Sequence, residues 1–180
     1  EGTVYRQAMQ EIAYPHISTH RTYAQASTEI EVVDVSVADV NVGYLMGSGD
    51  AVPESLRRVG VSVSLLSDSE LTTGDLSQFD VIVVGIRASQ TRAAYVANNQ
   101  RLLSYTEKGG TLIVQYQQPD FVEKNLAPFS VTMDSNVRVV DETVTIIIIE
   151  PNHLVFRFPT NIHNWNFDRW GQERTKYDYM

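Results

Sequence analysis

The sequence has no cysteine among its 180 residues, which excludes a disulfide framework, a thiolate zinc site and any cysteine nucleophile. No apolar run approaches the roughly 20 residues needed to cross a bilayer, so no membrane span is expected. Asn-x-Ser/Thr acceptors for N-glycosylation are also missing. Basic residues are in short supply: 14 Lys plus Arg stand against 22 Asp plus Glu, for a formal charge of −8. The cations are scattered rather than striped, so a nucleic-acid backbone is not an expected partner. The chain opens on Glu1 with no basic segment and apolar core behind it, so a signal peptide is expected to be absent or already removed.

What is present is a globular composition, 43% apolar and 9% aromatic, long enough to bury a core without staples. Residues 1–36 are rich in Thr, Val, Ile and Tyr and read as a β-rich appendage. Pro15 argues there for an edge strand, and Glu29 to Val37 for a strand with one wet face. From Val40 onwards short apolar runs alternate with helical lengths of chain: Val40 to Met46, Val61 to Leu66, Val81 to Ile86 and Thr111 to Tyr116. Strands separated by helices imply parallel pairing, and runs apolar on both faces imply a sheet covered on both sides. Residues 37–180 are therefore expected to form an α/β domain, doubly wound with a mostly parallel sheet.

The connections fit this expectation. Pro53 to Val59 can form a short helix with Pro53 in its first turn and Gly60 at its exit, and the next crossover carries Leu71 to Leu76. Thr91 to Lys108 predicts a longer helix, with Ala93, Val96, Ala97 and Leu103 on one stripe and Gly109 and Gly110 ending it. A second stripe of Tyr95, Leu102 and Tyr105 is compatible with partial burial or with contact to another domain. Ser130 to Met133 and Thr143 to Ile149 read as strands, and the four isoleucines predict one buried on both faces. Left exposed, that run would be prone to aggregate. The last thirty residues, with two Trp, Pro151 and Pro159, read as loop and short elements, so the domain is expected to be truncated at its C-terminus.

Four features could carry chemistry. The loop Met46 to Asp50 follows the first sheet strand, where α/β sheets bind ligands, and Gly47 and Gly49 would let backbone approach a ligand. It lacks the glycine spacing of a phosphate loop, and Asp50 would equally serve as a helix cap. Arg87, after the third strand, could hold an anion with its planar fork or pair with a carboxylate. Gln115 and Tyr116 end the fourth strand, where some hydrolases present a nucleophile, but neither side chain forms an acyl-enzyme. His16 and His20 are four apart, yet Pro15 and β-branched neighbours disfavour the helix a zinc pair would need. His153 and His163 lie among asparagines, followed by Asp168, a possible acid and base set without a nucleophile or metal.

Five motifs together resemble a known family: Val42-Gly-Tyr-Leu-Met-Gly-Ser-Gly-Asp50, Asp80-Val-Ile-Val-Val-Gly-Ile-Arg-Ala88, Gly109-Gly-Thr-Leu-Ile-Val-Gln-Tyr-Gln117, Glu150-Pro-Asn-His153 and Gln172-Glu-Arg174. In this order they look like the C-terminal class I glutamine amidotransferase-like domain of large bacterial PIG-L (LmbE-like) deacetylases. The resemblance implies a flavodoxin-like fold behind a β-rich connecting region, with further chain on both sides. It also implies a zinc-dependent deacetylase domain upstream, whose His-Pro-Asp-Asp type motif is absent here. No cofactor is then expected in this chain. Gln115 and Tyr116 stand where that family's amidotransferase pattern has its cysteine, so glutamine hydrolysis does not carry over.

The resemblance therefore implies a non-catalytic accessory or binding domain of an enzyme acting on N-acetylated sugars, secreted or periplasmic, partnered by its upstream domains and open to homo-oligomerisation. An alternative is a free-standing ThuA-like carbohydrate-binding or hydrolytic domain. Its candidate ligand-binding residues are Gly47, Gly49, Asp50, Arg87, Gln115, Tyr116 and His153, with Tyr116 and Trp170 available to stack on a sugar ring.

Overall fold

The computed structural model describes residues 6–27, 30, 32, 36–134, 144–158, 160–168 and 178–179. The chain divides into two compact units, residues 1–35 and 36–180. In the first, β1 (Gln7–Ile12) and β2 (His20–Gln25) form an antiparallel hairpin whose register sets Glu11 opposite Arg21. The two close a 2.7 Å ion pair. Every residue of both strands is exposed. Pro15 corrects the expectation of an edge strand: it sits in the turn joining β1 to β2, where its fixed φ costs nothing and no ladder N–H is needed. The strand expected at Glu29 to Val37 falls mostly outside the described residues, and Ile30, Val32, Ser36 and Val37 are not in a strand.

The second unit is built on a four-stranded sheet in the order β4-β3-β5-β6. Its strands are β3 (Asn41–Leu45), β4 (Ser62–Leu65), β5 (Val81–Val84) and β6 (Thr111–Val114), all parallel. These are the four expected apolar runs. The first strand lies inside the sheet and the chain winds outward from it in both directions, as it does in flavodoxin-like and Rossmann-like sheets in general.

Among the described residues five α-helices accompany the sheet: α1 (Val52–Arg58), α2 (Asp68–Thr73), α3 (Ala88–Thr91), α4 (Ala93–Glu107) and α5 (Asp120–Glu123). Strand alternation sorts the core into two faces. Leu45, Ile82 and Val84 meet Leu71, Tyr95, Leu102, Tyr105 and Phe121 on one. There Gly43 leaves room for the Phe79 ring, which a Cβ would meet at 3.0 Å. The smaller opposite face joins Val42, Tyr44 and Val83 to Val52 of α1.

Three expectations need correction. The helix expected over Thr91 to Lys108 breaks at Arg92, whose backbone is extended (φ −124°, ψ 91°). Its buried face is Tyr95, Asn99, Leu102 and Tyr105, whereas Ala93 and Ala97 are exposed. The larger side chains win because they bury more apolar area per residue than alanine does. The isoleucine run is no buried strand: none of Val144 to Ile149 is in a strand, and Ile147 and Ile149 are 74% and 87% exposed. Thr143 lies outside the described residues, and of Ser130 to Met133 only Met133 enters a strand, pairing with Tyr179.

Candidate functional site at the carboxyl ends of the strands

The parallel arrangement carries the chain out of β3, β5 and β6 at the same end of the sheet, and the three following loops are bonded to one another there. Between β3 and β5, the switch point of the strand order, backbones touch directly. Gly85 N–H donates to Leu45 O at 2.8 Å and Ser48 N–H to Ile86 O at 2.8 Å. A Cβ on Gly47 would lie 2.0 Å from the Ile86 carbonyl oxygen. Gly47 is thus a packing residue whose missing side chain lets the two loops close. Gly49 is different, with φ +101° and open space around it, so it supplies the turn into α1.

Asp50 completes that turn. Its Oδ1 accepts from Val52 N–H at 3.0 Å and from the Tyr44 hydroxyl at 2.8 Å. The same hydroxyl oxygen lies 3.0 Å from the Gln115 side-chain amide, so one fully buried hydroxyl spans from the β3 loop to the end of β6. Burial, then the Asp50 hydrogen bond and charge, push the Tyr44 phenol well above the usual tyrosine range. The second Asp50 carboxylate oxygen is buried with no protein partner among the described residues.

Arg87 occupies the position of greatest interest. It follows β5 immediately before α3 and has left-handed backbone, φ 56° and ψ 26°. Non-glycine residues rarely adopt this conformation, and it concentrates at functional sites. The conformation is over-determined: Arg87 N–H donates to Tyr116 O at 2.9 Å, and its own carbonyl accepts from Gln90 and Thr91. Gly85 precedes it by two and buried Ser89 follows by two. A strand, a sharp turn and a short helix follow one another here, and the arginine stands at the turn. Arg87 is exposed, and no carboxylate among the described residues forms an ion pair with it.

The floor beneath this turn depends on residues that sequence reading passed over. Gln117 is fully buried. Its Oε1 accepts from Ser89 N–H at 3.0 Å, and its Nε2 donates to Gly85 O and Gln115 O at 3.0 and 2.9 Å. Lys124 Nζ donates to Ser89 O at 2.8 Å while paired with Asp120 at 2.9 Å. Arg92, where the helix breaks, reaches Met46 O at 3.2 Å, Leu66 O at 3.4 Å and the Asp68 carboxylate. The spacing Gly85-x-Arg87-x-Ser89 after an apolar run was the available signal for the turn. Nothing local distinguished Gln117 from its neighbour Gln118.

Gly47, Asp50, Arg87, Gln115 and Tyr116 are accordingly brought together, with Gly49 at the rim. His153 is not part of this bonded set. It begins a short 3₁₀ turn, Leu154–Phe156, where its Nδ1 accepts from Val155 N–H at 3.2 Å. His16 lies in the hairpin turn and His20 at the start of β2, so no helix face joins them. Trp170 lies outside the described residues. Among the described residues no group of three or more His, Cys, Asp or Glu side chains could hold a metal ion, and no helix is long and apolar enough to cross a membrane.

A cavity of about 590 Å³ lies at the opposite, amino-terminal end of β5 and β6, lined by Asp75, Asp80, Arg101, Tyr105 and Lys108 among others. Arg101 there is committed to the carbonyls of Leu71 and Gly74, and Asp75 caps a 3₁₀ turn. Comparison with family models, curated proteins and solved structures finds no match to this chain.

Proposed function

We propose that this chain is a non-catalytic binding domain that presents Arg87 to an anionic group on its ligand. The observation that carries this reading is the guanidinium at a left-handed strand-to-helix turn, exposed and without an ion-pair partner among the described residues. An arginine cannot act as an acyl-accepting nucleophile, but its fork matches a carboxylate or phosphate bidentately. The Arg87 N–H bond to the Tyr116 carbonyl sets the two backbones side by side, and we read the half-buried Tyr116 as the aromatic partner of that charge. A sugar acid or similarly charged carbohydrate suits that pair.

At a finer level, we read the unit as an amidotransferase-like, flavodoxin-like accessory domain of a PIG-L type zinc-dependent deacetylase acting on N-acetylated sugars. Support for it is the ordered motif set together with the strand order. On this reading the zinc and the hydrolytic residues belong to the upstream domain. The exposed Arg87 equally favours the ThuA-like carbohydrate-binding alternative. The test is titration of the chain with a uronate and with its neutral parent sugar, followed by amide chemical shifts. Saturable shifts at Gly85 to Ser89 with the uronate, lost in Arg87→Ala, are expected. Equal response to both sugars, or an unchanged response in the variant, would refute the role of Arg87. Release of ammonia from glutamine, or of acetate from N-acetylglucosamine, at enzyme-like rates would refute the non-catalytic reading.

A further inference from the structure

The cavity of about 590 Å³ at the amino-terminal ends of β5 and β6 has the size of a small-molecule site, and none of the residues of the Arg87 site lines it. Its walls come from two stretches of chain. Helix α4 contributes Gln100 and Ser104, with Lys108 as its C-cap. Steps of four residues place these three on one helix stripe about 12 Å long. The segment from Gly74 to Asp80 contributes the carboxylates of Asp75 and Asp80.

Bonds within the chain fix these walls and leave polar atoms over. Arg101 donates to the Leu71 carbonyl and, at 2.6 Å, to the Gly74 carbonyl, which ties the end of α2 to α4. The Tyr105 hydroxyl donates to Phe79 O at 3.0 Å. Asp75 Oδ1 accepts from the Ser77 N–H and hydroxyl at 2.9 and 2.7 Å, and Asp80 Oδ2 from Asn41 N–H at 2.8 Å. Each carboxylate thereby keeps a second oxygen. The side chains of Gln100, Ser104 and Lys108 make no hydrogen bond or ion pair among the described residues.

The lining selects a ligand by its chemistry. Both signs of charge are present, Asp75 and Asp80 with Arg101 and Lys108, so an anion meets two carboxylates and a cation meets two bases. A small zwitterion would satisfy one charge of each sign and leave Gln100 and Ser104 unmet. Leu76, Phe79 and Tyr105 complete the lining, but each is more than nine-tenths buried, so an apolar ligand finds little surface to cover. A hydroxyl group both donates and accepts. A neutral polyhydroxyl compound can therefore serve the carboxylate oxygens, the amide and the ammonium together, and the length of the α4 stripe has room for two linked rings.

We propose that this cavity is a second binding site, separate from Arg87, for an uncharged disaccharide or a stretch of neutral oligosaccharide. Gln100, Ser104 and Lys108 meet its hydroxyls from α4, and Asp75 and Asp80 accept from them. The assignment stands independently of the anion reading of Arg87.

The test is titration of the full chain with maltose, cellobiose and lactose into the millimolar range, followed by amide chemical shifts. Saturable shifts at Asp75, Ser77, Gln100 and Ser104 are expected with at least one of the three, and weaker binding of glucuronate and glucosamine at the same amides. Arg87→Ala should leave this response unchanged. The double variant Gln100→Ala with Lys108→Ala removes two exposed side chains that bond nothing in the chain, so its thermal melt should match the wild type while its affinity falls by about tenfold or more. Absence of saturable shifts at these amides with all three disaccharides would overturn the proposal. So would affinity unchanged in the double variant, or a charged sugar bound there as tightly as the neutral ones.

Discussion

Gly47→Ala tests the contact that closes the β3 and β5 loops. The added Cβ would stand 2.0 Å from the Ile86 carbonyl oxygen and 2.8 Å from its carbon, and neither is the free end of a flexible side chain. The loops must separate, which stretches the 2.8 Å bond from Ser48 N–H to Ile86 O. Forcing atoms into packed space costs about 1–3 kcal/mol and losing the hydrogen bond about 1 kcal/mol, so a loss of about 2–4 kcal/mol is expected. Gly49→Ala is the internal control. It adds strain at φ +101° but meets nothing within 4 Å, so its cost should be about 1 kcal/mol. Urea unfolding followed by circular dichroism reads both. With a slope of about 2 kcal/mol per molar, the Gly47→Ala midpoint should fall by about 1–2 M and by clearly more than that of Gly49→Ala. Equal midpoints for the two variants, at unchanged slope, would refute the argument that backbone contact is what requires glycine at position 47.

Gln117→Ala should cost about 3 kcal/mol, because it strands the buried Ser89 N–H and removes donors from two carbonyls; hydrogen exchange at Ser89 should accelerate with it. Arg87→Gly should stabilise the fold by about 1 kcal/mol by relieving left-handed strain, while abolishing any anion response in the titration; thermal melts check the first and amide shifts the second. Tyr44 has its phenol raised by burial, so above about pH 10 the unfolded chain gives up this proton before the folded one. The stability it contributes is complete below that pH and falls as pH rises toward the folded value. Tyr44→Phe should therefore show a shallower alkaline loss of stability in urea titrations between neutral pH and pH 11.

The four sheet strands were legible because each apolar run is bounded by polar or glycine-containing turns, and their separation by helical lengths dictates parallel pairing. Helix faces were less so. In Ala93 to Glu107 the alanines and tyrosines trace competing stripes, and only tertiary packing decides that Tyr95 and Tyr105 go inward. Arg92 breaks its helix through bonds to Met46, Leu66 and Asp68, partners 24 to 46 residues away that no local window contains. The isoleucine run misled because hydrophobicity reports a need for cover without saying where the cover is. At the site, Arg87 was visible as a charge at a strand end, but its left-handed backbone was not. The Tyr44, Asp50 and Gln115 cluster joins residues 6 and 71 positions apart, and Gln117 differs from an exposed glutamine only in what surrounds it.

The closure of Gly47 against Ile86 sets the kinetics of anything that binds above it. A ligand held at the exposed Arg87, above loops packed backbone to backbone, would shed little of its hydration and be held by few contacts. Such complexes dissociate fast, and their lifetimes are set by the off-rate. Useful occupancy then depends on presentation, by a second site on the same polymer or by a neighbouring copy of the domain, either of which raises the effective concentration into the millimolar range without a new contact to the arginine.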